Sequence, residues 1–171
     1  MAEVAILSGL QASGKSTFFR ERLADTHVHV SKDNWPNARH REQRQRRVIG
    51  EALVEGRDVA VDNTNPSPHE REPLIEIAHK AGAKAVGYWF PPDPGVSLER
   101  NAQREGRQRV PNVGLFSTLK RLKRPSYAEG FDELYKVHSD GQGGFTVEHC
   151  PTDTDLEEKP APVRTGSARR G

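Results

Sequence analysis

Val4-Ala5-Ile6-Leu7-Ser8-Gly9-Leu10-Gln11-Ala12-Ser13-Gly14-Lys15-Ser16-Thr17 decides the fold. Four apolar residues in a row suit a buried parallel strand. Residues 9–16 then satisfy G-x-x-x-x-G-K-[ST] in full, and residues 15–23 can form a helix. Strand, glycine-rich loop and helix in that order make a P-loop. Its backbone N–H groups wrap an anion, and the helix N-terminus adds positive potential. Lys15 can reach β- and γ-phosphates, and the Ser16 hydroxyl can ligate Mg²⁺. Gly9, Leu10, Gln11, Ala12, Ser13, Gly14, Lys15, Ser16 and Thr17 are therefore expected to bind ATP or another NTP.

Outward from the loop, strand-like and helix-like segments alternate. Strands are predicted over 27–30, 58–62, 84–90 and 134–138, with a short edge segment at 145–148. Helices are predicted over 38–55, 67–81, 95–104 and 113–123. Ser67-Pro68 supplies an N-cap and N1 pair, and Gly56 and Gly82 close two helices. This βαβα rhythm predicts an α/β domain with a mainly parallel sheet of about five strands and helices on both faces. Residues 1–149 form that domain. Residues 150–171, rich in Pro, Thr, Gly and Arg, read as a disordered tail.

Composition sets the outer limits. At 171 residues the chain suits one domain. It has 35 Leu, Ile, Val and Phe residues, about 20%, the lower edge for a folded domain. The net charge is only +2, although 18 of the 26 basic residues are Arg. No run of about 18 apolar residues exists, which excludes a membrane-spanning helix. Residues 1–10 lack a basic leader before their apolar run, so no secretory signal is expected. One cysteine, Cys150, excludes an internal disulfide and a Cys-based zinc site. These features point to a cytoplasmic domain with no membrane partner.

A P-loop alone does not separate kinase, motor and GTPase. The chain is too short for a motor core with its sensors, and it has no N-K-x-D motif for guanine. Asp33 stands directly after the second strand, and strand C-termini face the ligand crevice in such sheets. There it either accepts a proton from a substrate hydroxyl or caps a turn. Asp62 ends the third strand. It either serves Mg²⁺ as a Walker-B-like carboxylate or forms an Asx turn with Asn63 ahead of Pro66.

Charges cluster by position. Residues 32–47 carry +4 and residues 99–124 carry +6, which suits a polyanion or a solvated helix face. Arg100, Arg104 and Arg107 fall where a lid closes over nucleotide phosphates; the same position also suits cations capping a helix C-terminus. Trp35 can stack on a base or pack against the following helix. His27 and His29 share one strand face without a third ligand at metal spacing, so both are read as packing residues. Cys150 has no partner that suggests chemistry.

Taken in order, these segments resemble the kinase domain of the polynucleotide 5′-hydroxyl kinase family. Residues 9–17 are similar to its G-x-x-x-x-G-K-S-T, and Val28-His29-Val30-Ser31-Lys32-Asp33 to its second strand ending in [RK]-D. Val61-Asp62-Asn63-Thr64-Asn65-Pro66 resembles D-N-T-N-P. Arg100-Asn101-Ala102-Gln103-Arg104 with Val110-Pro111 resembles the lid, and Ala128-Glu129-Gly130-Phe131 a segment near the domain's end. The resemblance implies a P-loop kinase fold and transfer of the γ-phosphate of ATP or another NTP to a 5′-OH end of DNA or RNA. It implies Asp33 as base, Lys15 and Arg104 as transition-state stabilisers and Ser16 as metal ligand; Arg100 is a nucleotide-binding candidate from its place in the lid, and Asp62 a metal candidate from its place at the strand end.

Pro36 stands where phage-type members have an Arg that engages the substrate phosphate, and Arg39 and Arg41 are the nearest replacements. Candidate substrate contacts are thus Asp33, Asn34, Trp35, Arg39, Arg41, Asp62 and Asn63. No D-x-D-x-[TV] phosphatase signature follows a strand, so the expectation is a kinase-only enzyme beside a separate phosphatase or ligase partner. Two alternatives stand: a kinase of a small molecule or aminoacyl-tRNA, and a non-kinase nucleotide-dependent RNA-binding factor. The latter needs neither a base nor a lid arginine.

Overall fold

The structure, a computed structural model, describes residues 1–106 and 109–158. Six strands form one sheet: β1 (Glu3–Ser8), β2 (His27–Val30), β3 (Asp58–Asp62), β4 (Lys84–Trp89), β5 (Glu133–Ser139) and β6 (Phe145–His149). Their spatial order is β2-β3-β1-β4-β5-β6. The first five are parallel, and β6 returns antiparallel to β5, pairing Ser139 with Phe145. The parallel core thus has the five strands read from the sequence, and the edge segment is a sixth strand.

The helices are α1 (Lys15–Phe18), continued by a π-helical turn (Phe19–Leu23), then α2 (Arg41–Val54), α3 (Pro68–Lys80), α4 (Pro94–Ala102) and α5 (Asn112–Arg121). Both faces of the sheet are covered. On one, Ile49, Leu53, Leu74, Ile75 and Ala78 of α2 and α3 pack on Val4, Ile6, Val59 and Val61. On the other, Phe18, Phe19 and Leu23 pack on Ala5, Leu7 and Ala60. Alternate residues of β1 serve opposite layers, as a doubly covered sheet requires. Among the described residues, no helix is long and apolar enough to cross a membrane.

Three sequence expectations are corrected. First, α2 starts at Arg41 rather than 38, because His40 adopts a left-handed φ of 55° and breaks the helical path. Second, Ser67 occupies the N-cap of α3 but makes no cap bond; its hydroxyl turns to the Glu70 carboxylate.

Third, core packing continues past the expected boundary at 149. Cys150 and Leu156 are fully buried in the core on the α2–α3 side, and a 3₁₀ turn spans Asp153–Leu156. Lys136 Nζ donates to Asp155 O and Glu157 O, both at 3.2 Å. Residues 150–158 look like a tail in composition because only two residues, Cys150 and Leu156, carry their packing. The rest of that expected tail, 159–171, lies outside the described residues.

Candidate active site

The register aligns the C-terminal ends of β1, β3 and β2: Leu7 lies beside Asp62 and Val30 beside Val61. The three segments that leave these strands therefore meet at one crevice. Gly9 N donates to Thr64 O at 3.0 Å, tying the loop after β1 to the loop after β3. Two glycines of the P-loop are dictated by space. A Cβ on Gly9 would lie 2.8 Å from Phe90 Cβ; Gly14 has φ 96° and a Cβ there would lie 3.2 Å from Phe145 Cε1. Ala12 also holds a left-handed φ of 57°, the kind of local strain that an anion-wrapping loop stores.

Lys15 is 7% exposed and folds back over this loop. Its ammonium donates to Gly9 O at 3.0 Å, Leu10 O at 2.5 Å and Ser13 Oγ at 3.3 Å. Burial pushes it down to about 8, Asp62 and Asp33 pull it up, and Arg104 pushes it further down. Lys15 is thus the point where the charges of three sequence-distant candidates converge. Gln11 Nε2 donates to Thr118 Oγ1 of α5 at 2.8 Å, so α5 braces the loop.

Asp62 sits at the centre. Its Oδ2 accepts from Ser16 Oγ at 2.8 Å and from His29 Nε2 at 2.9 Å. Burial pushes the carboxyl up, but the His29 and Ser16 hydrogen bonds and the Lys15 charge outweigh it and hold it below the ordinary value. This arrangement excludes the Asx-turn reading. The Ser16 hydroxyl and the Asp62 carboxylate are hard oxygen donors within one ion's reach, a set that fits Mg²⁺. The sequence reading makes His29 a packing residue. It does pack, with its ring 4.5 Å from that of Phe19, but its Nε2 belongs to the site.

Asp33 lies in a 3₁₀ turn (Lys32–Asn34) directly after β2, and it is exposed at the crevice with Asn34. The side chain of Ser31, not of Asp33, caps this turn by accepting from Asp33 N at 3.2 Å. The Asp33 carboxylate is therefore not the cap. Asn63, a candidate substrate contact, spends its side chain on the protein. Its Oδ1 accepts from Lys32 N at 3.0 Å and its Nδ2 donates to Gln45 Oε1 at 2.8 Å. It positions the Asp33 turn instead.

Trp35 is half-buried against the core, and the Arg44 guanidinium lies 4.9 Å from the centre of its ring. Packing is the reading that the structure supports. Arg39 is exposed between the turn and α2, and Arg41 Nη1 reaches Lys32 O at 3.4 Å.

Arg100 and Arg104 line a cavity of about 300 Å³ with Ala12, Gly14 and Thr17 of the P-loop. Its far wall is Ser139, Gly143, Gly144 and Phe145 of the β5–β6 hairpin, which sequence reasoning did not place here. Phe145 packs edge-on to Phe18 at 5.4 Å, and Arg22 Nη2 donates to Phe145 O at 2.8 Å. Arg107 lies outside the described residues.

Another residue was missed entirely. Arg71 of α3 is fully buried. Its Nε and Nη2 hold both Glu129 oxygens at 2.8 and 3.0 Å, while Nη1 donates to Ser8 Oγ, Asn65 O and Lys123 O at 3.0–3.1 Å. It clamps the floor beneath the loops after β1 and β3. A signal existed: positions 71, 74, 75 and 78 share the buried face of a helix, and Arg occupies the first of four apolar places.

The fold and this site define a P-loop kinase-type nucleotide-binding domain. The family model AAA_33, an AAA domain, matches residues 4–125, and the chain belongs to that family. Among solved structures it is similar to a fungal RNA kinase, with 15% identity and TM-score 0.61, covering 80% of this chain and 75% of that one. It is similar to Kti12 of Chaetomium thermophilum in complex with ADP-AlF3, with 17% identity and TM-score 0.59, covering 80% and 89%. An unliganded sugar kinase from Janibacter sp. HTCC2649 matches at 16% identity and TM-score 0.56, covering 74% and 80%.

Proposed function

We propose that this chain is a cytoplasmic polynucleotide 5′-hydroxyl kinase, moving the γ-phosphate of ATP or another NTP to a 5′-OH end of DNA or RNA. The observation that carries the reading is the exposed Asp33 carboxylate, free of capping duty, at the strand end beside Lys15 and next to the arginines that open α2. The P-loop cradles the triphosphate. Bound Mg²⁺, held by Ser16 and by Asp62 directly or through water, would offset phosphate charge.

Asp33 accepts the proton of the attacking hydroxyl as its oxygen bonds to the γ-phosphorus and the bond to the β-phosphate bridging oxygen breaks. Lys15 and Arg104 stabilise the negative charge on the transferring group. Arg39 and Arg41 follow the acceptor's phosphates, with Asn34 at the edge of the turn. His29 and Asn63 act at one remove, on Asp62 and on the Asp33 turn. The likeness to a fungal RNA kinase supports this assignment of acceptor.

The test is an acceptor panel: γ-labelled ATP with 5′-OH DNA and RNA oligonucleotides, nucleosides, sugars and aminoacyl-tRNA. Label on an oligonucleotide 5′ end is expected. Transfer only to a sugar, nucleoside or aminoacyl-tRNA overturns the polynucleotide assignment, and no transfer to anything overturns the kinase reading.

A further inference from the structure

The sheet carries a second polar cluster at its opposite edge. Glu3, Asp58 and His27 open β1, β3 and β2, and the register sets them side by side, with His27 beside Asp58 and Val4 beside Val59. They share the sheet face that bears Ala5, Ala60 and Asp62. Asp58 and Asp62 are four residues apart on one strand, so this row lies about 13 Å from the phosphate site. One ligand atom from each of the three lies within 4.8 Å of the other two.

His27 is the telling member. Its side chain is 7% exposed, and its Nε2 is buried without a hydrogen-bond partner. The nearest carboxylate oxygen, Glu3 Oε2, is 3.7 Å away, too far for a hydrogen bond. Its Nδ1 lies 2.7 Å from Thr26 Oγ1. When that hydroxyl donates to Leu23 O, at 3.4 Å, its oxygen accepts from Nδ1–H. In that tautomer Nε2 presents its lone pair to the side on which Glu3 and Asp58 lie.

Asp58 is oriented in turn, because Glu3 N donates to its Oδ1 at 2.9 Å. Among the described residues neither carboxylate has a Lys or Arg partner; Lys84 on the adjacent strand turns to Glu133 instead, at 3.5 Å. Three potential ligand atoms facing one another around a buried imidazole need a positive centre between them, either a proton on Nε2 or a metal cation.

We infer that Glu3, His27 and Asp58 form a binding site for a divalent transition cation of the zinc type. One imidazole and two carboxylates are ligands such ions accept, with a fourth position for water. The Nδ1–H bond to Thr26 is the outer partner that fixes a ligating histidine. Zinc bonds of about 2.0–2.1 Å place ligand atoms roughly 3.3 Å apart, so the ring contracts a little, chiefly through the flexible Glu3 side chain. The ion straps together the starts of the strands whose far ends carry Lys15, Asp33 and Asp62.

The test uses the full chain, stripped with chelator and free of nucleotide, titrated with Co²⁺ followed by its visible absorption and with Zn²⁺ by calorimetry. One ion per chain is expected, with a rise in the unfolding midpoint. His27→Gln and Glu3→Gln should each weaken binding by about tenfold or more and remove that rise, while His29→Gln keeps both. Glu3 lies at the sheet margin, so its variant tests the site even where His27→Gln folds poorly. Absence of binding by the unmodified chain overturns the inference. So does binding lost with His29→Gln but kept with His27→Gln, which would place the ion at Ser16 and Asp62.

Discussion

Asp33→Ala should lower phosphoryl transfer by about 10²–10⁴-fold while leaving the affinity for Mg²⁺-ATP within a few-fold, as measured by single-turnover transfer and equilibrium binding. Unchanged transfer would remove Asp33 from the role of base. Lys15 gives a second residue-level expectation. Its value of about 8 lies below the ordinary 10.4 of the unfolded chain. The unfolded chain therefore binds more protons between those values, and stability rises with pH across that window. Arriving phosphates restore the charge, so nucleotide binding at pH 8–9 should take up a proton. Calorimetry in buffers of different ionisation enthalpy reads this uptake, and Lys15→Met should abolish it. Lys15 was legible from the phosphate-loop motif, and Asp33 and Asp62 from position, because each follows or ends a strand. His29 and Asn63 were not, since their partners lie 33 and 31 residues away.

At the scale of elements, α3 matters most through Arg71. Arg71→Met removes five hydrogen bonds and leaves Glu129, whose side chain is 11% exposed, without its partner. Breaking a buried pair from one side costs about 3–5 kcal/mol, to be read from urea unfolding. Because the same guanidinium holds Ser8 and Asn65 under the P-loop and the loop after β3, nucleotide affinity should fall as well. A loss of stability without any loss of affinity would limit Arg71 to the core. Most elements were legible because strand and helix periods differ, 2 against 3.6. The start of α2 was not, because nothing local marks His40 as left-handed. Nor was the β5–β6 loop as a wall of the Arg100–Arg104 cavity, because a hairpin's destination depends on which strand it pairs with.

For the molecule as a whole, the boundary expected at 149 is open to a direct test. Ending the chain there removes Cys150 and Leu156 from the core and the carbonyls that hold Lys136, itself 3% exposed. That deletion should cost about 3 kcal/mol or more, seen as a lower midpoint in thermal unfolding; an unchanged midpoint would restore 149 as the domain's end. By itself the sequence determined the order of strands and helices, the phosphate loop and the carboxylates at strand ends. These follow from periodicity and from motifs shorter than one βα unit. Only the tertiary structure decided which distant side chains meet. Parallel pairing brought His29 to Asp62, strand order brought Glu3 to His27 across β3, and helix packing brought Arg71 of α3 to Glu129, because order, register and packing are set across the whole sheet and no local pattern encodes them.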